Sequence, residues 1–280
     1  MIATQAPTML RRMRPLLGTY VEVGLYLQTN SHDDPESAFT AAFQAIEAIQ
    51  RSLSFHDPDS ELSQLNRSDG HAIRLSSLAL RVLRLARGMT AASNGLFNCT
   101  IGGALIERGR LPNHGGVQPA LVGEAQDIEI YAGSARLRRP LRITLDGIAK
   151  GYAVDLASIA LRRHGIHAGW VNAGGDIRAF GDCTLPIQHR HHGTDATRFG
   201  LRNAALASSS SNEQYDPALP GEILAASTLQ SVTGNWCVMA AQAWRADALT
   251  KVAALAPRQC DALLQRLGGR RVLTDLVLAA

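Results

Sequence analysis

Two strand-like runs, Ala168–Ala173 and Asp176–Phe180, are separated only by Gly174-Gly175. A two-residue link turns the chain straight back on itself, whereas parallel strands need a crossover of about a dozen residues or more. The pair is therefore read as a hairpin, and similar signals flank it. Thr19–Leu27 alternates apolar and polar residues as a half-buried strand does. Ile128–Ile130 with 135–137 reads as a strand pair, 142–145 as a strand ending at Asp146, 236–240 as a strand and 271–278 as a closing strand. Helical patterns lie between them, over 37–53 (Phe39, Phe43, Ile46 and Ile49 in phase), after the cap Ser60, over 78–89, from Gly147 to His164-Gly165, over 246–255 and over 259–267. Strand pairs mixed with helices predict an α+β fold rather than a regular βαβ series. Residues 111–123 read as loop, and 207–222 as the least structured stretch.

At 280 residues, with 46% hydrophobic and 19% charged residues, the chain buries a sizeable core, read as one domain over 1–280 with a flexible 1–15. The net charge of +4 is scattered, and the densest basic run, QHRHHG at 188–193, has no interleaved aromatics, which argues against nucleic acid as a partner. Four cysteines stand far apart without CxxC spacing, so free buried thiols are expected rather than a zinc site. No window is long enough for a membrane span. Pro15 and Gly18 interrupt the N-terminal region, which lacks the apolar core of a secretion signal. A cytoplasmic protein is expected, or a periplasmic one if a signal precedes this sequence.

Arginine carries nearly all the positive charge, and the only two lysines are Lys150, in LDGIAKGYAVD at 145–155, and Lys251, in RADALTK at 245–251. A lysine is a compact point charge, suited to a tight pocket beside a phosphate or flavin where arginine's planar fork is not. In the first stretch a strand ends at Asp146 and a helix opens through small residues. Such a helix start favours an anion, and Gly147 and Gly151 allow close approach to the main chain. Glycine at such a junction is as often simple packing. In the second stretch, Asp247 and Thr250 share a helix face, and two hard oxygens there suit Mg²⁺, although such a pair alone is more often an N-terminal cap or a solvated face.

Taken in order, LLGTYVEVGL, FHDPDSELSQLN, SNGLFNCTIGGAL, ITLDGIAKGYAVD, VNAGGDIRAFG and ADALTK resemble the ApbE family of FAD:protein FMN transferases over roughly residues 16–255. The resemblance implies an α+β fold of two lobes with FAD between them. It also implies Mg²⁺-dependent transfer of FMN from FAD to a threonine or serine of a partner flavoprotein, with release of AMP. Carried over residue by residue, it puts Leu17, His56, Leu96, Phe97, Asn98, Thr144 and Lys150 at FAD-contacting positions. Gly147, through its carbonyl, and Asp247 fall at metal positions, with Thr250 as a possible third ligand.

Three departures stand out. Lys251 occupies the position of a metal-binding threonine hydroxyl, where an ammonium either takes the metal's place or repels it, unless Thr250 substitutes. The catalytic histidine near the C-terminus has no counterpart after His192, so the base is unknown. Glu222 and the cluster His189, His191 and His192 are the candidates, with Asp216-Pro217 an alternative alignment. Thr144 replaces an aspartate, while Asp146 follows two residues on. Two other activities are compatible with this motif set: a non-catalytic protein that holds or delivers FAD, and a FAD pyrophosphatase.

Overall fold

The computed structural model describes residues 8–27, 34–190, 196–211, 221–256 and 260–272. In chain order the elements are β1 (Thr8–Leu16), β2 (Thr19–Leu27), α1 (Pro35–Leu53), α2 (Glu61–Asn66), β3 (Ile73–Arg74), α3 (Ser77–Ala92), α4 (Gly102–Glu107), β4 (Ile128–Ile130), β5 (Ser134–Leu137) and α5 (Ala149–Arg163). They continue with β6 (Ala168–Ala173), β7 (Asp176–Phe180), β8 (Leu185–Arg190), β9 (Ala196–Leu201), β10 (Ala205–Ser211), β11 (Ile223–Leu224), β12 (Ser231–Val232), β13 (Gly234–Ala240), α6 (Ala243–Leu255), α7 (Asp261–Arg266) and β14 (Gly269–Arg271). The α+β expectation holds.

Seven strands form one sheet in the order β1-β2-β6-β7-β10-β13-β14, every neighbouring pair antiparallel. Side chains alternate across it. Val171, Ala173, Ala205, Ala207 and Val238 join the large core shared with the helices, while Trp170, Leu206 and Cys237 join a second core with Ile187 and Leu201 of β8–β9. The sheet is thus covered on both faces. α5 lies against α1, β6 and β7, and α6 lies against α5, β10 and β13. A smaller sheet, β3-β5-β4, packs beside α2 and α3.

Four expectations change. Residues 8–15, expected to be flexible, belong to β1, which pairs with β2 from Thr8↔Leu27 to Leu16↔Thr19. Of 207–222, expected to be the least structured stretch, residues 207–211 belong to strand β10, which pairs with β7 and β13, and 212–220 lie outside the described residues. Residues 142–145 pair with no strand among the described residues. The Asn66 side chain binds both the N–H and the C=O of Ile143, at 2.6 and 2.8 Å, and the N–H of Thr144 donates to the Cys99 carbonyl at 2.9 Å, so the backbone is satisfied from the end of α2 and from the chain before α4. The closing strand is Gly269–Arg271, and 273–280 lie outside the described residues. All four cysteines are free and buried, as expected.

Candidate active site

The sheet register gathers one end of the site. Leu17 and Gly18, at φ 55° and 68°, make the β1–β2 turn, and Gly174 and Gly175, at φ 58° and 97°, make the β6–β7 turn. Both centres of a two-residue hairpin turn of this kind need positive φ, which glycine adopts freely and leucine does not. The N–H of Leu17 is held by Gln50 Oε1 at 2.7 Å. Because Val21 pairs with Ala173, both tips fall at the same end of the sheet, with Asp176 opening β7 beside them. β10 pairs with β7 at Ala205 and Leu206, and its continuation carries Ser209 past that end.

Two helices bring the charges. α5 and α6 approach so closely at Gly151 that a Cβ there would come within 2.3 Å of the Ala243 carbonyl oxygen. Gly151 therefore serves helix packing rather than ligand access. Asp155 of α5 accepts from the N–H groups of Ala243 and Trp244, both at 3.0 Å, and caps α6 from another helix. With the helices so fixed, the Gly151 N–H donates to Asp247 Oδ2 at 3.2 Å. Asp247, only 1% exposed, takes the anion position that the sequence assigns to the start of α5.

Lys251 Nζ lies 2.5 Å from Asp247 Oδ1 and 3.2 Å from both the Asp247 carbonyl oxygen and Ser209 Oγ. Thr250, fully buried, donates to the Asp247 carbonyl at 2.7 Å and shares a 2.7 Å hydrogen bond with Ser209. The second lysine, Lys150, lies 3.2 Å from Asp176 Oδ2, a charge contact whose angles do not make a hydrogen bond. Burial and the neighbouring Asp247 push the Asp176 carboxyl up to about 7, against the opposing pull of Lys150 and Lys251. Burial works against the charge on Lys150, but Asp176, Asp247 and Asp146 outweigh it and raise its pKa.

The rim is built from Thr144, Asp146, Phe97 and His56. Thr144 Oγ1 donates to Asp146 Oδ2 at 3.2 Å, so the threonine orients the carboxylate two residues on. Desolvation by the surrounding protein, with a smaller push from Asp247, raises the Asp146 carboxyl, and the Thr144 hydroxyl, His56 and Lys251 oppose it, while the residue keeps an exposed face. A Cβ on Gly147 would meet Lys251 Cε at 3.1 Å and Phe97 Cε2 at 3.3 Å, so this glycine makes room for both side chains. Asn98 is committed to its own loop, accepting from Thr100 N–H and Oγ1 at 2.8 and 2.7 Å and donating to the Gly123 carbonyl at 3.1 Å. Leu96 is half-buried between Gly95 and Phe97.

Glu222 is drawn elsewhere. Arg108 and Arg110 hold its two oxygens at 2.8 and 2.7 Å, and Ser231 donates to it as well. Burial pushes this carboxyl up, but the serine and the two arginines outweigh it and hold it below the usual range. It is a spent acceptor and a poor base. His189 stands in β8, and His191, His192 and Asp216-Pro217 lie outside the described residues. Asp176, Ser209 and Asp155 were not singled out from the sequence as site residues. Asp176 had a signal in its place directly after the Gly174-Gly175 turn.

The expected Mg²⁺ ligands do not fit that ion as they stand. One oxygen of Asp247 binds a backbone N–H and the other an ammonium, while the Thr250 hydroxyl is turned inward. Among the described residues, no three His, Cys, Asp or Glu side chains are grouped to hold a metal.

A model of the ApbE family matches residues 17–273. The chain belongs to the ApbE family. A FAD:protein FMN transferase of Klebsiella pneumoniae (strain 342) is 25% identical over 189 residues, which cover 62% of this chain and 56% of that protein. One from Rhodobacter capsulatus is 26% identical over 201 residues, covering 66% of this chain and 37% of that protein. The chain therefore matches little more than half the length of the first and about a third of the second. Two solved ApbE structures share its fold. The apo flavinyl transferase ApbE of Pseudomonas stutzeri superposes with a TM-score of 0.80 at 19% identity, covering 95% of this chain and 94% of that one. The ApbE protein of Thermotoga maritima gives 0.81 at 22%, covering 94% and 93%.

Proposed function

We propose that this ApbE-family chain is a FAD:protein FMN transferase, one domain whose two lobes hold FAD between them. The observation that carries this reading is the family match over 17–273, joined to the two lysine–aspartate contacts gathered at the sheet end. In the proposed reaction a threonine or serine hydroxyl of an acceptor flavoprotein attacks the FMN-side phosphorus of FAD. A new P–O bond forms, the bond from that phosphorus to the bridging oxygen breaks, AMP leaves, and the hydroxyl proton passes to a base. Lys150 and Lys251 supply fixed positive charge against the negative charge that builds on the phosphates. Leu17, His56, Leu96, Phe97, Asn98 and Thr144 are proposed to frame the cofactor, with Asn98 acting by fixing its loop. Mg²⁺ enters no step of this scheme, because Asp247 is engaged by Lys251.

The second reading, a protein that holds FAD without turnover, is favoured by the engaged state of Glu222. Incubation with FAD, with and without a threonine-bearing acceptor domain, separates the possibilities by chromatography. AMP with protein-bound flavin is the expected result. Retained FAD without AMP overturns transfer in favour of the holding role, and AMP with free FMN overturns it in favour of a pyrophosphatase.

A further inference from the structure

Lys251 sits within hydrogen-bond distance of three oxygens: Asp247 Oδ1 at 2.5 Å, the Asp247 carbonyl at 3.2 Å and Ser209 Oγ at 3.2 Å. A carboxylate, a main-chain carbonyl and a hydroxyl are the kinds of oxygen a hard cation takes. Here an ammonium takes them, one N–H for each. The stem of the lysine lies over Gly147, where an added Cβ would come within 3.1 Å of its Cε. The neighbouring hydroxyl, on Thr250, is bound to Ser209 and to the Asp247 carbonyl in a fully buried position. The remaining oxygen of Asp247 faces the Gly151 N–H.

We infer that Lys251 is a tethered cation that replaces a divalent metal in this pocket, so that the chain binds FAD and acts on it without Mg²⁺. The inference deepens the transferase reading and, for its FAD part, rests on it. The physical reason is competition for one carboxylate. Mg²⁺ requires near-octahedral oxygens at about 2.0–2.1 Å and gives up its water reluctantly. To reach Asp247 Oδ1 it must expel an ammonium that is already at bonding distance on the same helix, four residues on. The expelled lysine then becomes a like charge beside the metal. A side chain that is part of the fold is desolvated once, on folding, and is present at every metal concentration.

The test uses the full chain, with Mn²⁺ followed by electron paramagnetic resonance and FAD binding followed by flavin fluorescence. The wild type is expected to leave Mn²⁺ free in solution, and its FAD affinity is expected to change less than about twofold between EDTA and excess Mg²⁺. Lys251→Thr, which places a hydroxyl four residues after Asp247, is expected to acquire one Mn²⁺ site that the further change Asp247→Asn removes. Its FAD affinity should become Mg²⁺-dependent by roughly tenfold, equivalent to about 1.4 kcal/mol. One Mn²⁺ bound by the wild type and lost in Asp247→Asn overturns the inference, as does a tenfold weaker grip on FAD in EDTA. The wild-type arm decides the matter even if Lys251→Thr does not fold. The transferase reading fails separately. Without AMP release, but with Mn²⁺ unbound and FAD held in EDTA, the tethered cation stands and transfer does not. If FAD does not bind at all, that reading is lost while Mn²⁺ still decides the metal question.

Discussion

Lys251 meets Asp247 at 2.5 Å with two further oxygens at 3.2 Å, whereas Lys150 meets Asp176 at 3.2 Å in a contact that lacks hydrogen-bond geometry. The two pairs have the same chemistry and both aspartates are 1% exposed, so the difference comes from where the partners are anchored. Lys251 and Asp247 stand four apart on α6, where one helix face holds them together. Lys150 comes from the start of α5 and Asp176 from a sheet hairpin, so two separately packed elements set their spacing. The first pair is closed on itself. The second leaves a buried carboxylate under-bonded and a lysine with donors to spare, which is the arrangement an incoming diphosphate can use.

The largest effect tests the closed pair. Asp247→Ala removes the acceptor of the Gly151 N–H and the counter-charge of Lys251 together. Breaking a buried pair from one side costs about 3–5 kcal/mol, and the lower end applies because Lys251 keeps 22% of its side chain in solvent. Urea denaturation measures this. A variant as stable as the wild type breaks the comparison, since Asp247 would then be holding nothing in place.

Lys150→Met tests the open pair through the ligand instead. A charge-assisted hydrogen bond contributes about 1.5–3 kcal/mol, so FAD affinity is expected to fall roughly ten- to hundredfold, with a smaller change in stability than in Asp247→Ala. Flavin fluorescence reads the affinity. Unchanged binding would mean that Lys150 serves only to offset the charge of Asp176.

Asp176→Asn sharpens the contrast through pH. With its folded carboxyl at about 7 and an ordinary value of 3.8, the folded state keeps a proton that the unfolded state has released. This group's contribution to stability is therefore present at low pH, declines between about pH 4 and 7, and is flat above that window. Between pH 6 and 8 the wild type should lose on the order of 1 kcal/mol through this group, and Asp176→Asn should remove that slope. Parallel profiles for the two proteins would show that the Asp176 carboxyl does not titrate in this range.

The β4–β5 and β6–β7 hairpins and the amphipathic helices were legible because each depends on short-range spacing. Phe39, Phe43, Ile46 and Ile49 recur in helical phase and are all buried in α1. The Gly174-Gly175 turn forces its hairpin by chemistry alone. What escaped was set by distant partners. Ala205–Ser211 has the composition of a loop and becomes a strand because β7 and β13 flank it. The capping of α6 by Asp155, the satisfaction of Ile143 by Asn66 and the third contact of Lys251 at Ser209 join residues 88, 77 and 42 positions apart. The resemblance left Lys251 occupying a metal's place, repelling it or yielding to Thr250, and the contacts with Asp247 and, from 42 positions away, with Ser209 bear on the choice.

The smallest effect lies away from both pairs, at Glu222. Its oxygens bridge Arg108 and Arg110, tying the chain after α4 to the β11–β12 hairpin, and the side chain is 10% exposed. A carboxylate held by two guanidinium groups has little tendency to accept a proton, whereas a working general base contributes about 10²–10⁴-fold in rate. Glu222→Gln keeps the shape and one carbonyl acceptor but loses the charge, so stability should fall by about 1 kcal/mol and AMP release should stay within about threefold of the wild type. Following both in one preparation separates a brace from a base. A hundredfold slower variant with intact folding would return Glu222 to the reaction. It would also shift the contrast between the two lysine pairs away from catalysis, since the proton would then leave by a route that neither pair touches.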